Sequence, residues 1–158
     1  MTVFTDMPGF LIRRLNQIAT SVFQDRMQAL GVNLTPVQFA ALASLRDNPG
    51  IDQATLAGLI AYDRVTIGGV VDRLQTKGLV ARTISESDRR ARCLTLTEAG
   101  AALLDRLLPE VAAVQADILS GLDAAERQSF VALARKSAEA GNARSRAPMR
   151  NREPVRSA

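Results

Sequence analysis

The segment that most constrains the fold is 63–100, which reads DRVTIGGVVDRLQTKGLVARTISESDRRARCLTLTEAG. It predicts a helix, a strand, a polar turn, a second strand and the start of another helix. The first helix is expected over 63–77, with Asp63 as its N-cap and Gly78 just past its end. Its apolar residues recur at helical spacing and predict a buried stripe of Ile67, Val70, Val71 and Leu74.

A β-hairpin is expected directly after this helix. Residues 79–84 are rich in apolar and β-branched side chains, and residues 93–97 alternate as a half-buried strand does. The stretch between them, 85–92, reads SESDRRAR and is too polar to pack in a core. The two strands and their charged tip therefore predict a wing.

A second short helix precedes the first. It is expected to begin after the N-cap Asp52 and to run to about Ile60, and a turn at Ala61-Tyr62 joins it to Asp63. Two short helices joined in this way, the second with an exposed polar face, are the arrangement that reads DNA. With the hairpin, they predict a winged helix-turn-helix.

The charge distribution favours the same interpretation. Residues 64–92 hold seven basic and three acidic side chains, whereas residues 1–140 as a whole hold 15 of each. A basic patch on the predicted reading helix and wing suits the DNA backbone, because phosphate neutralisation drives affinity. The alternative is that the arginine-rich tip is only a solvated turn.

Long amphipathic helices flank this unit. Two are expected before it: one over 8–30, and one that begins at the capping box of Thr35 and Gln38. Two are expected after it: one of some 24 residues that follows Thr97, and a last helix that follows Asp123. The residues of this last helix predicted to face inward are Phe130, Leu133 and Ala134. The first and last helices carry more apolar surface than one small domain covers, which favours a homodimer over helices folded back on their own domain. The predicted interface comprises Leu11, Leu15, Leu104, Leu108, Val111 and Leu122.

The expected fold is therefore mainly α with a small β wing: a winged helix-turn-helix with N- and C-terminal dimerisation helices. Residues 1–140 are predicted to form this domain, with the DNA-binding core at about 35–97. Residues 141–158 hold five arginines and one glutamate without apolar periodicity, and predict a disordered basic tail. This tail is either a solvated end without a dedicated role, which is the favoured interpretation, or a source of sequence-independent attraction to DNA.

The sequence has few of the residue types that catalysis and metal binding commonly use. The chain has no histidine and one cysteine, which removes the usual general base and the common zinc ligands. We therefore expect no enzyme, metal or cofactor, and a cytoplasmic protein without a membrane partner, since no secretory signal or long apolar run is visible. Cys93 is interpreted as a strand residue rather than a redox sensor, because the chain offers no resolving cysteine.

The strings LTPVQFAALASL, DRLQTKGLV and SDRRARCLTLTEAG resemble the multiple antibiotic resistance regulator (MarR) family over roughly 8–140. The resemblance implies a dimeric transcription regulator, in most members a repressor that small aromatic ligands release from its operator. It also implies that Arg90 enters the minor groove, with Asp88 bracing the turn and Arg89 near phosphate. The predicted DNA-binding residues are Arg64, Val65, Thr66, Arg73, Lys77, Asp88, Arg89, Arg90 and Arg92.

Two departures from the family pattern matter. Gly68 and Gly69 stand where many members have larger polar or basic residues, so base readout would depend on Arg64, Val65 and Thr66. The first helix contains no cysteine, which argues against the thiol-sensing branch of the family.

The family's ligand pocket lies between the dimerisation helices and the winged domain. An arginine among apolar and aromatic side chains suits an aromatic carboxylate, which a guanidinium binds in bidentate fashion. The residues predicted to line it are Phe10, Arg13, Arg14, Phe39, Leu42 and Arg46. The alternative is that the phenylalanines are ordinary core residues and the arginines are solvated. For the whole chain, the alternative function is a winged-helix protein-interaction module without specific DNA binding.

Overall fold

The computed structural model describes residues 3–84 and 92–150. Its helices are α1 (Pro8–Ala29), α2 (Pro36–Asp47), α3 (Gln53–Leu59), α4 (Ile67–Thr76), α5 (Glu98–Ile118) and α6 (Ala124–Gly141), and its strands are β1 (Val80–Ile84) and β2 (Arg92–Leu96). Single turns of 3-10 helix lie at Phe4–Asp6 and Asn142–Arg144. The order confirms the mainly helical winged helix-turn-helix. Among the described residues, no helix combines the length and apolar character needed to span a membrane.

Three of the predicted helix starts are confirmed by their caps. The Thr35 hydroxyl accepts a hydrogen bond from the Gln38 amide, and the Gln38 side chain accepts one from the Thr35 amide, which completes a capping box. The Asp52 carboxylate accepts the Thr55 amide at 2.7 Å. Asp123 caps α6 in the same way. Each cap satisfies amides that the first helical turn leaves without partners.

The reading helix begins later than predicted. α4 starts at Ile67, and residues 63–66 form a turn. The Asp63 carboxylate accepts the Val65 amide at 2.6 Å, only two residues away, and this local bond competes with the geometry of a helical N-cap. The Asp63 carbonyl still accepts the Ile67 amide at 3.0 Å, so the turn leads directly into the helix.

The hairpin is antiparallel and pairs Val80 with Leu96 and Ile84 with Arg92. The Leu94 side chain points into the core and is fully buried. The Leu94 amide also donates to the Ile51 carbonyl at 2.8 Å, so the segment before α3 is attached to the base of the wing. The predicted wing tip was 85–92: its last residue, Arg92, begins β2, and residues 85–91 lie outside the described residues.

The core lies where α1, α2, α3, α4, α5 and the hairpin meet. Leu104 is 0% exposed within a single chain, so its place in the predicted dimer interface is wrong: it has no surface left to bury against a partner. Leu108 and Val111 are partly buried against the same core. The i, i+3 and i+4 spacing of a long helix does not distinguish a stripe facing its own core from one facing a second chain.

α6 is less buried than the sequence predicts. It contains no buried residue. Leu133 and Ala134, both predicted to face inward, are exposed, Leu133 by 64%. Phe130 is half-buried. The apolar face of α6 therefore remains uncovered by its own chain.

The segment after α6 also differs from the expected disordered tail. Over 142–150 it folds back, and the Arg150 amide donates to the Gly58 carbonyl at 2.8 Å. The physical reason is a local polar clamp: the Asn142 side chain bonds both the amide and the carbonyl of Met149. Residues 151–158 lie outside the described residues.

Candidate nucleic-acid interface

The turn that leads into α4 presents its side chains to solvent. Arg64, Val65 and Thr66 are all exposed, and Val65 is 91% exposed although it is apolar. An apolar side chain held clear of the protein at the start of a helix can contact a thymine methyl in the major groove. The hydroxyl of Thr66 donates to the Asp63 carbonyl at 3.2 Å, which limits its rotation.

The opposite face of α4 fixes the helix to the core. Its buried side chains are the four predicted from the sequence, namely Ile67, Val70, Val71 and Leu74. The exposed face is nearly free of bulk at its start, since nothing lies within 4 Å of a Cβ built on Gly69. The backbone of α4 can therefore approach a ligand closely at this point.

A polar brace joins the reading helix to the wing. The Arg82 guanidinium of β1 lies 2.7 Å from the Asp72 carboxylate of α4 and donates to the Gln53 side chain of α3 at 3.1 Å. Arg82 was not among the predicted functional residues. Its strand position gave no signal for this role, because the brace depends on how three elements pack.

The basic side chains predicted to touch DNA divide into two groups. Arg64, Arg73 and Arg92 are exposed, as a phosphate or base contact requires. Lys77 instead donates to the Asn33 carbonyl and, at 3.1 Å, to the Gln38 side chain. Desolvation, followed by the nearby Arg73 charge, lowers the pKa of Lys77 below its usual value. Its ammonium therefore connects the end of α4 to the start of α2. Asp88, Arg89 and Arg90 lie outside the described residues.

The predicted ligand residues do not form one pocket within a protomer. The Arg13 guanidinium lies 5.1 Å from the Phe10 ring centroid, near the start of α1. Phe39 packs on Phe23 with ring centroids 6.1 Å apart. Phe10 precedes Phe23 by 13 residues, or roughly 20 Å along a helix at 1.5 Å per residue. The periodicity of α1 could not reveal which of its turns faces α2.

The remaining ligand residues lie on α2 and α1. Leu42 is fully buried in the core. The Arg46 guanidinium lies 3.5 Å from Asp47 and 3.7 Å from Asp105, so two carboxylates already balance its charge. Arg14 is exposed on α1, and none of the ion pairs among residues 3–84 and 92–150 includes it.

Comparison with known proteins gives one consistent result. The family model described as "MarR family" matches residues 34–91. The chain is 39% identical over 132 residues to the HTH-type transcriptional repressor NicR of Pseudomonas putida, a match that covers 84% of this chain and 82% of that protein.

Two solved structures are similar over nearly their whole length. BpsR of Bordetella bronchiseptica, whose DNA binding is regulated by 6-hydroxynicotinic acid, has a TM-score of 0.81 and 32% identity, with 88% of this chain and 98% of that chain covered. The repressor CouR of Rhodococcus jostii, bound to a 23-mer DNA duplex, has a TM-score of 0.76 and 29% identity, with 87% and 99% covered.

Proposed function

Because the chain belongs to the MarR family of transcriptional regulators, we propose that it is a homodimeric repressor that binds operator DNA and is released by an aromatic carboxylic acid. The observation that carries the DNA-binding part is the exposed turn at Arg64, Val65 and Thr66, held on a helix whose other face is buried. That geometry presents side chains to a groove at a fixed angle.

Exposed apolar surface at both ends of the chain supports the homodimer. Phe4, Met7 and Ile12 near the N-terminus and Val131 and Leu133 on α6 are exposed in a single chain. Surface of this kind, spread over two helices, is typical of a protein-protein contact. A two-fold pairing through α1 and α6 would also provide the two reading helices that a palindromic operator requires.

For the ligand, we propose Arg14 as the group that pairs with a carboxylate, with Arg13 beside it. Both are free of ion pairs among the described residues, whereas Arg46 is balanced by Asp47 and Asp105. Support also comes from BpsR, whose regulator 6-hydroxynicotinic acid carries one carboxylate on an aromatic ring. A guanidinium binds such a group with two parallel hydrogen bonds.

The DNA proposal is tested with a duplex that the protein itself selects from a random library. Arg90→Ala is expected to weaken binding by about 1–3 kcal/mol, because an arginine inserted in a narrow groove gains both contacts and favourable potential. Arg106→Ala, an exposed arginine on α5, is the matched control and should bind as wild type does. Failure to select any sequence would favour the interaction module instead.

The ligand proposal is tested by thermal shift with 6-hydroxynicotinic acid and benzoate. We expect a stabilising shift in wild type and in Arg46→Gln, and its loss in Arg14→Gln, since a ligand that binds only the folded state raises the melting temperature. An unchanged shift in Arg14→Gln would reject this assignment of the carboxylate partner.

A further inference from the structure

The segment that follows α6 contributes a surface that the helix-turn-helix alone does not have. We propose that residues 142–150 form a basic arm docked on the helix-turn-helix, and that Arg146 and Arg150 of this arm bind the DNA phosphates beside the groove that α4 reads. The inference rests on the proposed function, since it needs the chain to bind operator DNA.

The arm has a defined internal conformation. The Asn142 amide nitrogen donates to the Met149 carbonyl at 2.9 Å, and the Met149 amide donates to the Asn142 carbonyl oxygen at 2.7 Å. The Ala147 amide donates to the Ser145 hydroxyl at 3.1 Å. One side chain thus closes the loop at both ends. These contacts fix the backbone of the loop that carries Arg144 and Arg146.

The arm is attached to the end of α3. The Gly58 carbonyl lies in the last turn of α3, where it accepts the Ala61 amide at 3.4 Å and also the Arg150 amide at the shorter distance of 2.8 Å. A Cβ built on Gly58 would lie 3.2–3.4 Å from three side-chain carbons of Arg150. The absence of a side chain at Gly58 therefore lets the arm approach this closely.

Docking places the arm next to the turn that leads into the reading helix. A cleft of about 280 Å³ lies between them, and its charged lining consists of Arg64, Arg146, Arg150 and Asp63. The three arginines are exposed, and among residues 3–84 and 92–150 none of them forms an ion pair. The one carboxylate already accepts the Val65 amide.

Because three guanidiniums and one carboxylate line the cleft, it favours an anionic ligand. Its position beside the turn that leads into α4 indicates that this anion is a DNA phosphate. Arg64 belongs to the turn that would enter the groove, so a phosphate bound in the cleft would belong to the strand bordering that groove. The arm does not block this turn, because Val65 remains 91% exposed with the arm in place. An autoinhibitory strap would cover the side chains that read DNA.

The test compares salt-dependent binding of full-length variants to the selected duplex. Arg146→Gln with Arg150→Gln should make the slope of log affinity against log salt shallower by about 0.9 per lost phosphate contact, hence by up to about 3.6 for two arginines in each protomer of a dimer. From 50 to 200 mM salt, the ratio of wild-type to variant affinity should then fall by roughly a hundredfold. Arg144→Gln is the control: it removes one positive charge per protomer, against two in the double variant, from the same segment but outside the cleft lining, and should leave the slope close to that of wild type.

A second variant tests the docked conformation rather than the charge. Asn142→Ala keeps every arginine but removes both contacts to Met149, and it should weaken binding by about tenfold, because the arm must then be ordered upon binding. Circular dichroism and gel filtration establish that each variant is folded.

The outcomes separate the two proposals. If wild type selects no duplex, the proposed function fails. If wild type binds DNA but the double variant behaves like Arg144→Gln, or if Asn142→Ala binds as wild type does, the arm is rejected and the proposed function stands. Tighter specific binding by a protein truncated after Gly141 would identify an inhibitory strap and would also overturn the proposal.

Discussion

Gly100, at the start of α5, offers the sharpest test of how the wing is joined to the long helix. A Cβ built on this residue would lie 2.0 Å from the Leu79 carbonyl oxygen and 3.0 Å from the Leu79 carbonyl carbon. Both are backbone atoms, which cannot rotate away. The same Leu79 oxygen accepts the Thr97 amide at 3.1 Å, so moving it disturbs the N-cap of α5.

The loss of stability expected for Gly100→Ala follows from that contact. The backbone must separate by more than 1 Å to reach an ordinary distance, and overpacking of a tight contact costs about 1–3 kcal/mol. Weakening of the Leu79–Thr97 hydrogen bond adds about 1 kcal/mol. We therefore expect the free energy of unfolding to fall by about 2–4 kcal/mol.

Gly69→Ala is the matched control, because the same methyl group is added to a helical glycine in open space. Nothing lies within 4 Å of its Cβ, and alanine is a better helix former than glycine by about 0.5–1 kcal/mol. The control should therefore be slightly more stable than wild type, and the two variants should differ by about 2.5–5 kcal/mol.

The assay is urea unfolding followed by circular dichroism, at one fixed protomer concentration because association would shift the midpoint. Equal stability of Gly100→Ala and wild type would refute the close approach of α5 to Leu79. Equal loss in both glycine variants would refute the distinction between a packed and an open glycine.

Three further results are expected. Leu133→Asp should give a folded monomer in sedimentation velocity, whereas Leu104→Asp should not fold, because only the second substitution places a charge in the core of a single chain. A folded Leu104→Asp protein would contradict this expectation. A double-mutant cycle of Asp72→Asn and Arg82→Gln should give a coupling of about 0.2–1 kcal/mol, because the pair is partly exposed. A coupling of zero would show that the ion pair does not stabilise the contact between reading helix and wing. Ala61→Gly should raise the free energy of unfolding by about 0.5 kcal/mol, because Ala61 has a φ of 50° in the turn before α4; a loss of stability would show that this strain is absent.

Features that depend on a few neighbouring residues were predictable from the sequence. The caps at Thr35, Asp52 and Asp123 each involve a side chain and an amide three residues away. Gly31 and Gly78 end their helices with φ values of 66° and 71°, and the signal for this conformation is the glycine itself. The buried stripe of α4 follows from helical periodicity in the same way.

Features that depend on which surfaces meet were not predictable. Leu104 and Leu133 both lie in apolar stripes, yet one is in the core and the other is exposed, because periodicity gives a face of a helix but not its partner. Lys77 looks like a DNA-binding lysine until the start of α2 is placed beside it.

The segment after α6 shows the same division most clearly. Its composition, rich in arginine and poor in apolar residues, is that of a disordered tail. Its conformation rests on one contact within the loop, in which the Asn142 side chain bonds Met149, and its position rests on one tertiary contact, in which the Gly58 carbonyl accepts the Arg150 amide. Local sequence determined the charge of this segment, whereas the packing of distant residues decided where that charge is held.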